Sequence, residues 1–178
     1  MEPLKNANPV SVGLVVAALA LALCGCGSGK APDAPAAVKG VSDHFTVSVG
    51  GHPVSLQFAV LEPEQERGLM QLADLGKDEG MIFVDAAPKK ETYWMKDTPE
   101  ALDIAFAGPD GVIQEIYPMY PFDERVVASR GDQLQMAVEM RQGWFSANGV
   151  HAGDSVDMKA VTDALRARGF DPARFKLR

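Results

Sequence analysis

The sequence predicts a compact, mostly antiparallel β domain of the α+β class, barrel-like or sandwich-like, with two or three short helices. Three observations carry that prediction. Apolar residues recur at period two in several short runs, Gly and Pro clusters separate those runs, and helical spacing is confined to brief stretches near residues 62–70 and 161–168. With 178 residues, the chain has room for one such domain and a targeting segment.

Taken in order, Phe45, Val47 and Val49 alternate with Thr46 and Ser48, and the alternation resumes after Gly50-Gly51 at Val54, Leu56 and Phe58. Two strands around Gly-Gly make a β-hairpin. Glu62-Pro63-Glu64-Gln65-Glu66 opens a helix that ends near Met70, because Pro is tolerated in the first turn and carboxylates suit its positive end. Gly80 to Val84 is apolar throughout, which predicts a strand covered on both faces and broken at Pro88-Lys89-Lys90. Thr92 to Met95 and Leu102 to Ala107 are two further strands. On the second, Leu102, Ile104 and Phe106 share one face and Asp103 takes the other. Gly108-Pro109-Asp110-Gly111 has turn chemistry and returns the chain as a strand over Val112 to Tyr117. Tyr117 to Phe122, with two prolines, reads as a loop. Leu134, Met136, Val138 and Met140 alternate as one more core strand, Gly143-Trp144-Phe145 starts a turn or helix, and Ser155 to Met158 is a final strand before the last helix.

The N-terminus has the composition of an address. Val12 to Leu23 is an unbroken apolar run, too short to span a bilayer and suited to a secretory signal. Leu23-Cys24-Gly25-Cys26 resembles the bacterial lipobox, which makes Cys26 the lipidated first residue of the mature chain, and Gly27 after it resembles the pattern for sorting to the outer membrane. The expected organisation is therefore a signal peptide over 1–25, the lipidated Cys and a linker over 26–40, a globular domain over 41–158, and a basic C-terminal helix or tail over 159–178. Both cysteines lie in the targeting segment, so the domain has no disulfide, no Cys metal cluster and no Cys nucleophile.

Net charge is −7 and the pI about 4.9, which argues against nucleic acid as a partner. The charge is uneven. Lys159, Arg166, Arg168, Arg174, Lys176 and Arg178 stand against Asp163 and Asp171 in the last twenty residues, a segment suited either to docking on its own acidic domain or to anionic envelope polymers.

Six short segments in order carry a family resemblance: Glu66-Arg67-Gly68-Leu69-Met70, Gly80-Met81-Ile82-Phe83, Tyr93-Trp94-Met95-Lys96-Asp97-Thr98, Leu102-Asp103-Ile104-Ala105-Phe106, Asp110-Gly111 and Gly153-Asp154. Together they resemble the uncharacterised bacterial and archaeal family called domain of unknown function 192, over roughly Val47 to Met158. The resemblance implies a small β-rich domain, often exported, with no established activity, cofactor or catalytic residues. Two departures stand out: Asp97 where the family often has Asn, and Pro99-Glu100-Ala101 in place of a more apolar approach to Leu102.

The candidate ligand-binding residues are Trp94, Lys96, Asp97, Asp103, Arg67 and Tyr120. Trp94 offers an amphipathic ring for a sugar or peptide. Asp103, inside an apolar strand, needs a partner, and Arg67 or Lys96 is the natural one, so a structural or ligand-orienting Arg67–Asp103 pair is expected. Tyr120 sits on the Pro-rich loop with Tyr117 and Phe122, a rim or a lid. No catalytic set is assigned, since no nucleophile and orienting His accompany the carboxylates. Met70, Met81, Met95, Met119, Met136 and Met140, with His44, His52 or His151, invite a soft metal, but most of these methionines fall at core spacing, and no metal or cofactor is expected. The reading is a lipid-anchored, periplasm-facing envelope protein that binds a glycan or peptide. The alternative is an enzyme acting on an envelope polymer through carboxylates near Asp97 and Asp103.

Overall fold

The computed structural model describes residues 37–178, so the expected signal peptide, the expected lipidation site Cys26 and most of the expected linker lie outside the described residues. The described chain is an α+β fold built on an open six-stranded mixed sheet in the order β1-β2-β3-β8-β5-β6. Its strands are β1 (Phe45–Val49), β2 (His52–Ala59), β3 (Glu79–Lys89), β5 (Leu102–Ala107), β6 (Ile113–Met119) and β8 (Leu134–Arg141). A second, two-stranded sheet pairs β4 (Thr92–Tyr93) with β7 (Val127–Ala128). Pairing is antiparallel throughout except between β2 and β3, where α1 (Glu62–Arg67) and the chain after it supply the crossover that parallel strands need. The sheet does not close, so the packing is sandwich-like.

Side-chain alternation divides the core into two clusters, one on each face of the large sheet. Val47, Val49, Leu56, Phe58, Ile82, Val138 and Met140 face one way and meet α2 (Trp144–Ala147), α3 (Met158–Ala167) and a 3-10 turn at Pro172–Phe175. Met81, Phe83, Leu102, Ile104, Phe106 and Ala137 face the other way and meet Leu69, Leu75 and Met95. The basic C-terminal segment is part of this architecture. Asp157 caps α3 by accepting from the backbone N–H of Lys159 and Ala160, and Val161, Ala164, Leu165 and Phe175 join the first cluster. Arg168, buried at the end of α3, donates to the carbonyl of Phe58 and to Glu64 Oε1 at 2.5 Å. Burial pushes the Glu64 carboxyl up, but the N–H groups of Val60 and Leu61 and the Arg168 guanidinium outweigh it and hold the group below its usual range.

Several details differ from the sequence reading: α1 ends at Arg67, short of Met70, where Gly68 turns the chain, and β4 stops at Tyr93, short of Met95. The strand over Gly80 to Val84 runs on through Pro88 to Lys89, because β2 has already ended beside it and the register shifts after Val84, leaving positions where a missing N–H costs nothing. β6 likewise runs through Pro118 to Met119; it is an edge strand, and Pro is tolerated there. Ser155 to Met158 forms only isolated bridges, Val112 with Ser155 and Val49 with Val156, and Met158 already belongs to α3.

Candidate functional site

Strand β8 lies inside the sheet, flanked by β3 and β5. Met136, Val138 and Met140 point at the helical face, so Ala137, Glu139 and Arg141 take the opposite parity. Glu139 pairs in register with Met81 on one side and Ile104 on the other, deep in the second apolar face. It is 4% exposed, and among the described residues its carboxyl has no hydrogen bond or ion pair. Burial alone pushes that carboxyl up to about 8, as expected when an ionised group would lose its hydration without compensation.

Over Glu139 lies a hollow of about 30 Å³, walled by Arg67, Gly68, Tyr93, Trp94, Thr98 and the ring of Phe83. Each wall has a local cause. Gly68 ends α1 at φ 48°, ψ −134°, a region open in practice to glycine alone. A Cβ there would lie 3.4 Å from the Phe83 ring, so the chain crosses close above the sheet and drops Leu69 into the core. The Trp94–Thr98 loop is tied on both sides. Met95 N–H donates to the Asp123 carbonyl at 2.8 Å, Gln71 N–H to the Asp97 carbonyl at 2.8 Å, and Phe122 N–H to the Thr98 carbonyl at 3.0 Å. Met95 is buried while Trp94 remains 47% exposed. Lys96 Nζ sits 5.5 Å from the Trp94 ring centre, a cation–π contact.

Tyr93 stacks edge-on against Phe83 and lies tilted against Phe106. Burial, together with the charges of Glu91, Glu139 and Asp85, pushes its phenol well above the usual value. Glu91 is a second buried carboxyl. Burial and then the neighbouring Asp85 raise it to about 8, against the opposing pull of Lys89, whose Nζ bonds Asp85 at 2.8 Å and stands 3.7 Å from Glu91. Across the Arg67–Met70 segment from the small hollow lies a larger cleft of about 410 Å³, reaching Gln57, Ser42 and Leu72.

The six residues singled out from sequence are thus divided. Arg67 and Trp94 wall the same hollow, and Lys96 lies on the Trp94 ring. Asp97 is exposed at φ 51°. That left-handed conformation suits Asn and Asp alike, so the departure from the family's Asn keeps the turn. Tyr120 is 56% exposed beside a separate depression with Met95, Asp123 and Arg125. Asp103 stands apart. It shares a strand face with Ala105 and Ala107 on the helical side, and its carboxylate accepts from Gly143 N–H at 2.7 Å. The expected Arg67–Asp103 pair does not form, because the sheet lies between the two side chains. Burial raises the Asp103 carboxyl and the Gly143 bond partly offsets this, so Asp103 fixes the turn into α2. Glu100 is 3.3 Å from Arg141 Nε, although the angle is not that of a hydrogen bond. The methionines are split by the sheet, Met81, Met95 and Met119 on one face and Met136 and Met140 on the other. Among the described residues no three His, Cys, Asp or Glu side chains converge as metal ligands.

Sequence reasoning missed Glu139. The signal was present as a charge between Val138 and Met140 in a run assigned to the core, but alternation alone does not say what covers the second face of that strand.

Four of the six segments that carry the family resemblance meet at this one hollow, through Arg67 to Met70, Phe83, Tyr93 to Thr98 and Leu102. Residues 45–158 match the model of DUF192, described as an uncharacterized ACR. The chain belongs to that family. Two solved structures share the DUF192 chain's fold. A protein of unknown function from Novosphingobium aromaticivorans DSM 12444 is 34% identical with a TM-score of 0.62, the match covering 70% of this chain and 94% of the other. A protein of Sinorhizobium meliloti 1021, described as a candidate transcription regulator, is 28% identical with a TM-score of 0.62, covering 64% and 92%. No curated protein matches the chain.

Proposed function

We propose that this DUF192 protein is a lipid-anchored envelope protein, tethered through Cys26 and facing the periplasm, whose domain binds a ligand without transforming it. The Glu139 hollow, with Arg67 and Trp94 at its mouth, is the binding site, and the cleft beyond Arg67–Met70 takes the rest of the ligand. The observation that carries this reading is the unpartnered carboxyl of Glu139. A buried polar group without a partner is costly, and at the floor of a hollow it marks a place where a ligand supplies the missing contact. The exposed Trp94 ring beside it offers stacking area for a glycan or peptide.

A catalytic reading has one feature in its favour, since a carboxyl raised to about 8 is the kind of group general acid catalysis uses. Asp97 and Asp103 do not join it: Asp103 faces the helical side and Asp97 is exposed on its loop. A hollow of about 30 Å³ admits a head group, not a scissile linkage. The negative net charge of −7 likewise disfavours DNA as the ligand. A thermal-shift panel of glycans and peptides tests the proposal. A binder raises the melting temperature by mass action, Trp94→Ala lowers its affinity, and the ligand is recovered intact. Turnover of any panel member that is lost in Glu139→Gln would replace binding by catalysis.

A further inference from the structure

Resting on that binding reading, we propose that the hollow recognises the zwitterionic head of an amino acid, its ammonium against Glu139 and its carboxylate against Arg67. Glu139 is an acceptor at 4% exposure with no donor on it among the described residues. The space above it, about 30 Å³, suits a group of roughly the size of one water. An ammonium group meets both conditions, with three donors in a compact head. Aromatic walls from Phe83, Tyr93 and Trp94 favour a cation over a neutral group of the same size. On entry the ammonium displaces the Glu139 proton to solvent, leaving an ion pair where a lone carboxyl stood.

Arg67 supplies the other half. It is exposed at the mouth of the same hollow, and its guanidinium has no hydrogen bond or ion pair among the described residues. Its planar donor fork matches a carboxylate in two-point fashion. An amine lacking a carboxylate would pair with Glu139 but leave the Arg67 guanidinium without an acceptor, and a carboxylate lacking an amine would leave Glu139 without donors. An α-amino acid carries both groups on one carbon and so meets Glu139 and Arg67 at once. Its side chain, or the rest of a peptide to which it belongs, leaves over Trp94 or into the cleft beyond Met70.

The test is calorimetric titration of the detergent-solubilised full chain with alanine (each enantiomer), ethylamine, propionate, N-acetylalanine and a chitin tetrasaccharide. At least one alanine enantiomer binds, and ethylamine, propionate and N-acetylalanine bind about tenfold or more weaker. Glu139→Gln and Arg67→Gln each weaken alanine by about tenfold or more. Arg67 is exposed, so its variant keeps the fold and carries the test even if Glu139→Gln does not. Failure of both enantiomers to bind, or alanine affinity unchanged in Arg67→Gln, overturns the inference. If the capped amino acid or the tetrasaccharide then binds in a Trp94→Ala-sensitive manner, the binding function stands without the zwitterion. If no compound binds, both fall.

Discussion

Replacing Glu139 by Gln removes the proton that the fold stores at the centre of its sheet and should make the protein more stable at neutral pH. The wild-type carboxyl titrates near 8 in the folded state against an ordinary value of 4.5. Between those two values the folded chain holds a proton that the unfolded chain has released. Wild-type stability therefore falls as pH rises through that window, by about 1.4 kcal/mol per unit, and levels off above pH 8. At pH 7 the integrated loss is about 3 kcal/mol, an upper value because relaxation and entering water reduce the penalty. Glutamine has nearly the same shape and does not titrate. The two proteins should be close in stability near pH 4.5, and the variant should lead by up to about 3 kcal/mol at pH 7. Urea denaturation across this range measures the difference. Glu91, also raised to about 8, titrates in both proteins and cancels to first order in the comparison. A wild-type minus variant difference that does not change with pH would refute the reasoning, since it would mean that Glu139 titrates as it does in water.

Three further outcomes follow from contacts on the same sheet. Gly80→Ala drives a Cβ into the Glu139 carbonyl and to 2.6 Å from Met140 Sδ, so it should cost about 1–3 kcal/mol or more in denaturant unfolding. Arg168→Met strands Glu64 beside a position buried to 4% on the arginine side; a loss of about 3 kcal/mol, largely relieved in the double variant with Glu64→Gln, is expected from a thermodynamic cycle. Asp103→Ala should cost about 1 kcal/mol through the lost Gly143 bond, while the cycle between Asp103→Ala and Arg67→Ala should show no coupling beyond error; appreciable coupling would place the two residues in contact after all.

Period-two alternation made most strands legible, because wherever one face is apolar and buried the register shows in the spacing of Val, Leu, Ile and Phe. The hairpin at Gly50-Gly51 and the strand from Leu102 to Ala107 are read directly from that spacing. What alternation does not give is the environment of the second face. Asp103 and Glu139 both interrupt apolar strands, yet one bonds a turn and the other has no partner among the described residues. That difference depends on what covers each face, α2 in one case and the Gly68 and Trp94 segments in the other, and those are tertiary facts. Arg67 and Trp94 were legible as candidates, whereas their meeting over Glu139 required the fold. Proline misled for the same reason, since Pro88 and Pro118 break a strand only where both edges are paired.

The glycine of the Gly80-Met81-Ile82-Phe83 segment and the buried glutamate belong to one arrangement. Gly80 pairs in register with Met140, and its missing side chain lets β3 approach the Glu139 carbonyl more closely than any Cβ allows. The same strand then carries Met81 beside Glu139 and Phe83 up to the hollow's wall. Gly68, above, brings the chain after α1 down onto that Phe83 ring. One glycine thus tightens the floor and the other the roof, and Arg67 is the residue immediately before the roof glycine. The two segments outside the hollow serve a different part of the fold. Gly111 and Gly153 join the turn after β5 to the chain before α3, through Val156 N–H to the Gly111 carbonyl at 3.0 Å and Gly153 N–H to the Ile113 carbonyl at 2.8 Å. If the hollow is the reason these segments occur together, then Gly68→Ala, strained by its positive φ and touching the Phe83 ring, should damage ligand affinity beyond its effect on stability. Gly111→Ala, whose Cβ would meet the Val156 carbonyl at 2.8 Å, should lose stability and leave affinity intact, and equal loss of affinity in the two would reduce the four converging segments to scaffolding.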